Sequence, residues 1–366
     1  MLDYDNRYND FYENEEESYP DFFIKWDNAV RKGKSPGYYE PEELTEIIDI
    51  YFSENDLKKA GQAIEHALSL YVSDEELLYE IFLLLNDYEQ WNDLLSLCER
   101  YKRTADVWCD GHKLIALLHL RMEEDAFHFF GTLKNKYAGD NEDLDVIYQA
   151  MSEALIEVDL FESAVEVINE AIEIMGEHID YLWLKLQAYA SMKEKEEVVK
   201  YADKIQKMNP LDAETWYLLG DTFQELDDME RAIDAYENAC SLEPASGNLI
   251  LSLISAYEKN GNYGKALEKA KEFLYLQPGN YFVNIIISQI CSQLENWEEA
   301  LKYITEAIKT VPEMSPLYLH KSSFLLHLKE VKKAKLALQE GIEKTDDPDG
   351  ALIKELGRLN EQYPNF

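Results

Sequence analysis

The chain has 366 residues, 46% of them apolar, which is enough to bury a sizeable core. Asp plus Glu number 73 against 35 Lys plus Arg, a net charge of -38. With that apolar content the acid must coat a folded surface, one that repels nucleic-acid backbone and anionic lipid and attracts basic partners.

Residues 1–20, MLDYDNRYNDFYENEEESYP, mix Asp and Glu with Tyr4, Tyr8, Phe11, Tyr12 and Tyr19. They show neither a helical nor a strand period and read as a disordered acidic, aromatic tail. Such a tail is either solvated, docked on a basic partner, or folded back onto the protein itself. Residues 21–40 hold a short helix and a linker. DFFIKWDNAVRK places Phe22, Phe23, Trp26 and Val30 on one side, and GKSPGYYEP is turn chemistry.

From Pro41 a 34-residue period of paired helices is expected to run to residue 345. Leu44, Ile47, Ile48 and Tyr51 are followed by Ala60, Ile64 and Ala67. Leu78, Ile81, Phe82 and Leu85 are followed by Leu94, Cys98 and Tyr101. The third unit is irregular. His112, Ile115, Ala116 and His119 keep the first-helix register, but Ala126 arrives two residues early. That predicts a shortened turn near Met122 and a longer exit near Ala138–Asn141. Tyr148, Met151, Ser152 and Leu155 then precede Ala164, Ile168 and Ala171, and Leu182, Leu186 and Tyr189 precede Val198, Ala202 and Ile205. Pro210, Pro244, Pro278 and Pro312 follow one another at intervals of 34. Residues 346–366 carry Leu352, Leu356 and Leu359 on one side, as a C-terminal capping helix requires.

The stretch from Ala213 to Pro244, AETWYLLGDTFQELDDMERAIDAYENACSLEP, shows the unit in full. Trp216, Leu219, Gly220 and Phe223 share one face of a first helix. Gly220 has no side chain and admits a second helix closely. Asp227 and Asp228 make the turn. Ala232, Tyr236 and Ala239 face back from the second helix, and Pro244 ends the unit. The spacing W-x2-L-G-x2-Y, then A-x3-F, then P resembles the tetratricopeptide repeat (TPR). The resemblance covers residues 41–345 and implies an all-α fold: an α-solenoid, a right-handed superhelix of about nine TPR helix pairs with a C-terminal capping helix.

In that family the first helix of each pair lines a concave groove that binds peptides or partner helices. Carried over by register, the partner-binding positions here are Gln149, Glu153, Trp183, Gln187, Glu214, Tyr217, Asp221, Gln224, Glu225 and Gln289. Earlier units contribute Glu42, Thr45, Asp49, Glu76, Tyr79 and Asp87. The irregular unit contributes Asp110, Lys113 and Arg121, the one basic spot. Trp183 and Tyr217 supply rigid contact area, Gln187 and Gln224 can pair with a peptide backbone, and Asp221 and Glu225 can hold Lys or Arg. The Lys/Asn pair that grips acidic chaperone tails is not matched, since only Lys113 fits. The implied function is a protein–protein interaction scaffold that binds an extended or helical, basic or polar polypeptide in the groove. The alternative is a regulatory or sensor protein whose acidic tail or bound peptide gates that groove.

No phosphate loop, nucleophile elbow or H-E-x-x-H motif occurs. His112 and His119 lie seven apart at positions that read as packed core. Cys98, Cys109, Cys240 and Cys291 form no C-x-x-C pair and fit a reducing compartment. No apolar leader and no run of about 18 apolar residues is present. The expectation is a cytoplasmic protein without enzyme activity, cofactor or metal, and with no nucleic acid or membrane among its partners.

Overall fold

The computed structural model describes residues 19–72, 74–101, 107–346 and 350–364. Tail residues Tyr4, Tyr8, Phe11 and Tyr12 lie outside them. Among the described residues twenty helices occur and no strand. A short α1 (Asp21–Arg31) precedes nine pairs. These are α2 (Pro41–Ser53) with α3 (Leu57–Leu70), α4 (Glu75–Asp87) with α5 (Trp91–Tyr101), and α6 (Val107–His119) with α7 (Glu123–Lys136). Next come α8 (Asn141–Glu157) with α9 (Phe161–Met175), α10 (Ile179–Ser191) with α11 (Lys195–Met208), and α12 (Ala213–Glu225) with α13 (Met229–Leu242). The last are α14 (Gly247–Lys259) with α15 (Tyr263–Leu276), α16 (Tyr281–Gln293) with α17 (Trp297–Thr310), and α18 (Ser315–His327) with α19 (Val331–Lys344). A final α20 (Ala351–Gln362) closes the series. The chain forms two compact units, Met1–Lys204 and Ile205–Phe366.

Every first helix stops in the same way. A residue just past its end sits in the left-handed region: Asn55, Glu89, Arg121, Asp159, Lys193, Asp227, Gly261, Glu295 and Lys329, with φ between 54° and 73°. The following N–H reaches back to the helix, Asp56 to the Tyr51 carbonyl and Asp228 to the Phe223 carbonyl, each at 2.8 Å. This is the Schellman closure, which satisfies carbonyls that a helix end would leave bare. Only one of these nine residues is glycine. The second helix then starts at once, and Asp56, Asp228 and Asn296 cap it by accepting from backbone N–H groups.

The turn residues are 34 apart, except that the step into Arg121 is 32 and the step out of it is 38. The third pair is therefore regular, and the irregularity lies at its borders. Helix α8 has 17 residues where α12 has 13. The expected short turn near Met122 is thus corrected: that turn is ordinary, and the step of 32 is made up before α6 begins. The longer exit is present as an added stretch of α8, capped by Asp140, which accepts from the N–H groups of Glu142 and Asp143 at 3.2 Å.

In the N-terminal unit α1 covers the first pair. Trp26 is 1% exposed, edge-on to Tyr39 and His66 at 5.3 and 5.1 Å. Asp27, also buried, accepts from the Tyr51 hydroxyl at 3.0 Å and from Lys59 Nζ at 3.1 Å. Ala60, Ala67, Ala126, Ala164 and Ala171 are fully buried and leave room for first-helix residues such as Tyr51 and Tyr148.

In the C-terminal unit Gly220 lies under Tyr236, and a Cβ there would stand 2.5 Å from that ring. Ala232, Tyr236 and Ala239 are buried as the pattern requires. Trp216 is not. It is half-buried, with its indole N–H donating to the Pro210 carbonyl at 3.0 Å. The tryptophan fastens the incoming loop rather than filling the seam. Leu352 and Leu359 of α20 are fully buried, and Lys335 donates to the Tyr363 carbonyl at 2.8 Å. All four cysteines are buried and none is in a disulfide.

Candidate partner-binding site

The left-handed turn residue gives each first helix an internal ruler. Ten residues before it stand Thr45, Tyr79, Gly111, Gln149 and Trp183 in the N-terminal unit, and Tyr217, Leu251, Ile285 and Leu319 in the C-terminal unit. All of these except Gly111 are half-buried or exposed, so one edge of the first helices faces solvent in both units. The ten sequence-derived candidates also have solvent access. Gln149, Glu153, Trp183 and Gln187 belong to the N-terminal unit. Glu214, Tyr217, Asp221, Gln224, Glu225 and Gln289 belong to the C-terminal unit.

In the N-terminal unit Asp145 is the local hub. It accepts from the Tyr181 hydroxyl at 2.6 Å and from Gln149 Nε2 at 2.7 Å. The Gln149 amide is therefore oriented by its own helix. Glu153, one turn on, has no ion-pair partner among the described residues. Desolvation first, then the charges of Glu157 and Asp180, hold its carboxyl above the usual range. Glu157 itself meets His119 Nε2 at 2.9 Å, and that imidazole stacks on Trp91 with ring centres 4.0 Å apart. His119 is thus a rim residue and not core, whereas His112 is buried. Trp183 is half-buried and Gln187 exposed.

The third pair overturns part of the sequence reading. Asp110 is buried, bonded to Lys136 Nζ at 2.6 Å and to the Tyr137 hydroxyl at 2.8 Å. Lys113 pairs with Glu99 and lies over the Phe129 ring. Arg121 occupies the turn and donates to the Val158 carbonyl at 2.9 Å. None of the three lies on the solvent-facing edge, so the supposed basic spot is not there. The ruler puts Trp108 and Gly111 in the places assigned to Asp110 and Lys113. Trp108 is 49% exposed and edge-on to Tyr79 at 5.9 Å.

In the C-terminal unit the Tyr236 hydroxyl donates to Asp221, and the Tyr217 ring lies 6.0 Å from that of Tyr236. Asp221 and Tyr217 are therefore positioned from the second helix beneath them. Glu214 and Glu225 are exposed. Beyond them Leu251, Ile285 and Leu319 continue the row begun by Tyr217 as half-buried aliphatic side chains, an apolar run that the sequence reading did not single out. Beside it, burial pushes the Glu258 carboxyl up to about 7 and holds the His320 imidazole below its ordinary value.

Among the described residues no group of three or more His, Cys, Asp or Glu side chains is arranged to hold a metal ion. Among the same residues no helix is long and apolar enough to cross a membrane. Burial pushes the Cys240 and Cys291 thiols up to about 11, away from the thiolate that reacts.

Residues 179–302 match the sequence model of a family described as the N-terminal TPR repeats region of Psidin. The TPR repeat-containing protein YpiA of Bacillus subtilis is 24% identical over 291 residues, 78% of this chain and 67% of that protein. The anaphase-promoting complex subunit CDC16 of Saccharomyces cerevisiae is 22% identical over 301 residues, 78% of this chain and 35% of that one. A tetratricopeptide repeat protein from Parabacteroides merdae superimposes with a TM-score of 0.39 at 14% identity, covering 75% of this chain and 99% of that one. The matched repeat model covers residues 179–302, and the same left-handed turn recurs in the remaining pairs, so the chain is similar to the tetratricopeptide repeat proteins.

Proposed function

We propose that this protein is a non-catalytic interaction scaffold whose first-helix edges take up an extended or helical, basic or polar segment of another protein. The observation that carries the reading is Glu153. It shares the N-terminal unit's solvent-facing edge with Glu157, Asp180 and Trp183, and desolvation first, then the charges of Glu157 and Asp180, hold its carboxyl above the usual range. A Lys or Arg from a partner relieves that repulsion through charge-assisted bonds, while Trp183 gives apolar contact at low conformational cost. In the C-terminal unit Tyr217 and Asp221, held by Tyr236, the exposed Glu214 and Glu225, and the half-buried Gln224 and Gln289 offer a second such surface. The similarity to a subunit of a large complex is in keeping with a role in assembly.

The test is isothermal titration of the whole chain with a lysine-rich peptide at low and moderate salt. Trp183→Ala and Tyr217→Ala are each expected to weaken binding by about 1–3 kcal/mol. Affinity is expected to fall as salt rises, because exposed charges are screened over roughly 8–10 Å. Binding indifferent to salt and to both substitutions refutes the proposal.

A further inference from the structure

Trp108 and Tyr79 are the large aromatic pair that the proposed function leaves unused. They lie on successive first helices of the N-terminal unit, 49% and 36% exposed, with ring centres 5.9 Å apart and planes crossing at 69°. Each ring fixes the other, and behind them the His112 imidazole lies 6.1 Å from Tyr79 and 5.5 Å from Phe82. An exposed indole held at that angle by packing is a prepared contact surface, since little freedom is lost when a ligand covers it.

The surroundings say what would cover it. On α4 the exposed Glu76 stands three residues before Tyr79 and four before the exposed Glu80, so helical spacing sets it beside both. Neither carboxylate has an ion-pair partner among the described residues. Elsewhere in this unit the chain pairs its acids with its own cations, as in Glu65 with Arg100, Asp110 with Lys136, and Glu170 with Lys134. The described Lys or Arg nearest in sequence to Trp108, Lys113, is already held by Glu99. Aromatic faces bordered by unneutralised carboxylates favour a planar cation, which stacks on the ring and donates hydrogen bonds to the acids.

We propose that Tyr79 and Trp108, with Glu76 and Glu80, form an anchor for an arginine side chain of a partner polypeptide. The anchor rests on the proposed function only in using the same edge of the first helices. It is separate from Trp183 and Tyr217 and specifies the partner more narrowly.

The experiment is fluorine NMR of the whole chain labelled with 5-fluorotryptophan. Six tryptophans give six resonances, and Trp108→Phe and Trp183→Phe assign the two that matter. Short oligoarginine, oligolysine and oligoglutamate peptides are the probes. The Trp108 resonance is expected to move on adding oligoarginine, to move less with oligolysine at equal concentration, and to stay with oligoglutamate. Tyr79→Leu, and Glu76→Gln with Glu80→Gln, are each expected to weaken that response roughly threefold to tenfold. Both variants change exposed positions, and the unperturbed remaining resonances report that the chain is folded. Movement at Trp108 without movement at Trp183 supports the anchor and counts against the proposed function at Trp183. Movement at Trp183 alone overturns the anchor and leaves the proposed function standing. A Trp108 response equal for all three peptides, or unchanged in the two variants, also overturns the anchor.

Discussion

Gly220→Ala asks whether helix pairing here is limited by contact distance. A methyl group at that position would stand 2.5, 2.6 and 2.9 Å from Cε1, Cδ1 and Cζ of Tyr236. Ordinary carbon contacts begin at about 3.5 Å, so the ring would have to retreat by roughly an ångström. It has no open direction, being 1% exposed with its hydroxyl donated to Asp221. Overpacking costs roughly 1–3 kcal/mol, and replacing a mid-helix glycine by alanine returns about 1. With a large displacement demanded of a locked ring, the upper end applies and the net loss is about 2 kcal/mol. Gly131→Ala is the internal control. It is also inside a helix, and a Cβ there meets nothing within 4 Å, so a gain of roughly 0.5–1 kcal/mol is expected. Hydrogen exchange read by mass spectrometry separates the two, because a repeat array opens locally. Where exchange follows the opening equilibrium, 2 kcal/mol appears as about thirtyfold faster exchange in α12 and α13. Unchanged or slower exchange there, or equal damage from Gly131→Ala, would refute the packing argument.

Glu295→Gly removes a side chain held at φ 56° and is expected to stabilise the C-terminal unit by about 1 kcal/mol, read from the urea midpoint. Gly261→Ala at the equivalent turn (φ 73°) should destabilise by a similar amount. Glu258→Gln should change how stability depends on pH. The folded carboxyl holds its proton up to about pH 7, whereas the unfolded one loses it near 4.5, so the wild type loses stability as pH rises between those values and the variant does not. With the partial exposure discounted, the variant should lead by about 1–3 kcal/mol at pH 8 and match the wild type at pH 4; an equal difference at both pH values would contradict this. Asp27→Asn weakens the buried carboxylate's bonds to Tyr51, Lys59 and Arg31. Faster exchange in α1 to α3, by about 1–3 kcal/mol of opening energy, is expected.

The helix pairs were legible because burial repeats along the sequence: Ala232, Tyr236 and Ala239 pack where the pattern puts them. Register in the third pair was not legible from that period. The added residues fall at the start of α8, outside the apolar pattern that repeats from pair to pair. The feature that fixes register is a backbone angle, and here it is carried by Asn, Glu, Arg, Asp and Lys as well as by Gly. The early arrival of Ala126 was the one trace in the sequence, and assigning it to a short turn placed Asp110 and Lys113 on the wrong side of their helix. Trp216 was misplaced for another reason. Its ring could fill a seam or brace a loop, and the Pro210 carbonyl decides for the second by accepting the indole proton.

The two units present different chemistry at the same place in the repeat. In the C-terminal unit the row runs Tyr217, Leu251, Ile285, Leu319, with Glu214, Asp221 and Glu225 around Tyr217 and an aliphatic run beyond it. In the N-terminal unit it runs Thr45, Tyr79, Gly111, Gln149, Trp183, broken by a glycine and flanked by Glu76, Glu80 and Glu153. Contact with an unbroken aliphatic row is driven by removing apolar surface from water, which moderate salt hardly changes. Contact with aromatic rings set among carboxylates is driven in good part by charge, which salt screens. A partner that uses mainly Leu251, Ile285 and Leu319 will therefore keep its affinity between low and physiological salt, and one that uses the N-terminal unit, or Tyr217 with its carboxylates, will lose it. The net charge of -38 does not predict which, because it is spread over the whole surface while the difference between the units rests on a few positions.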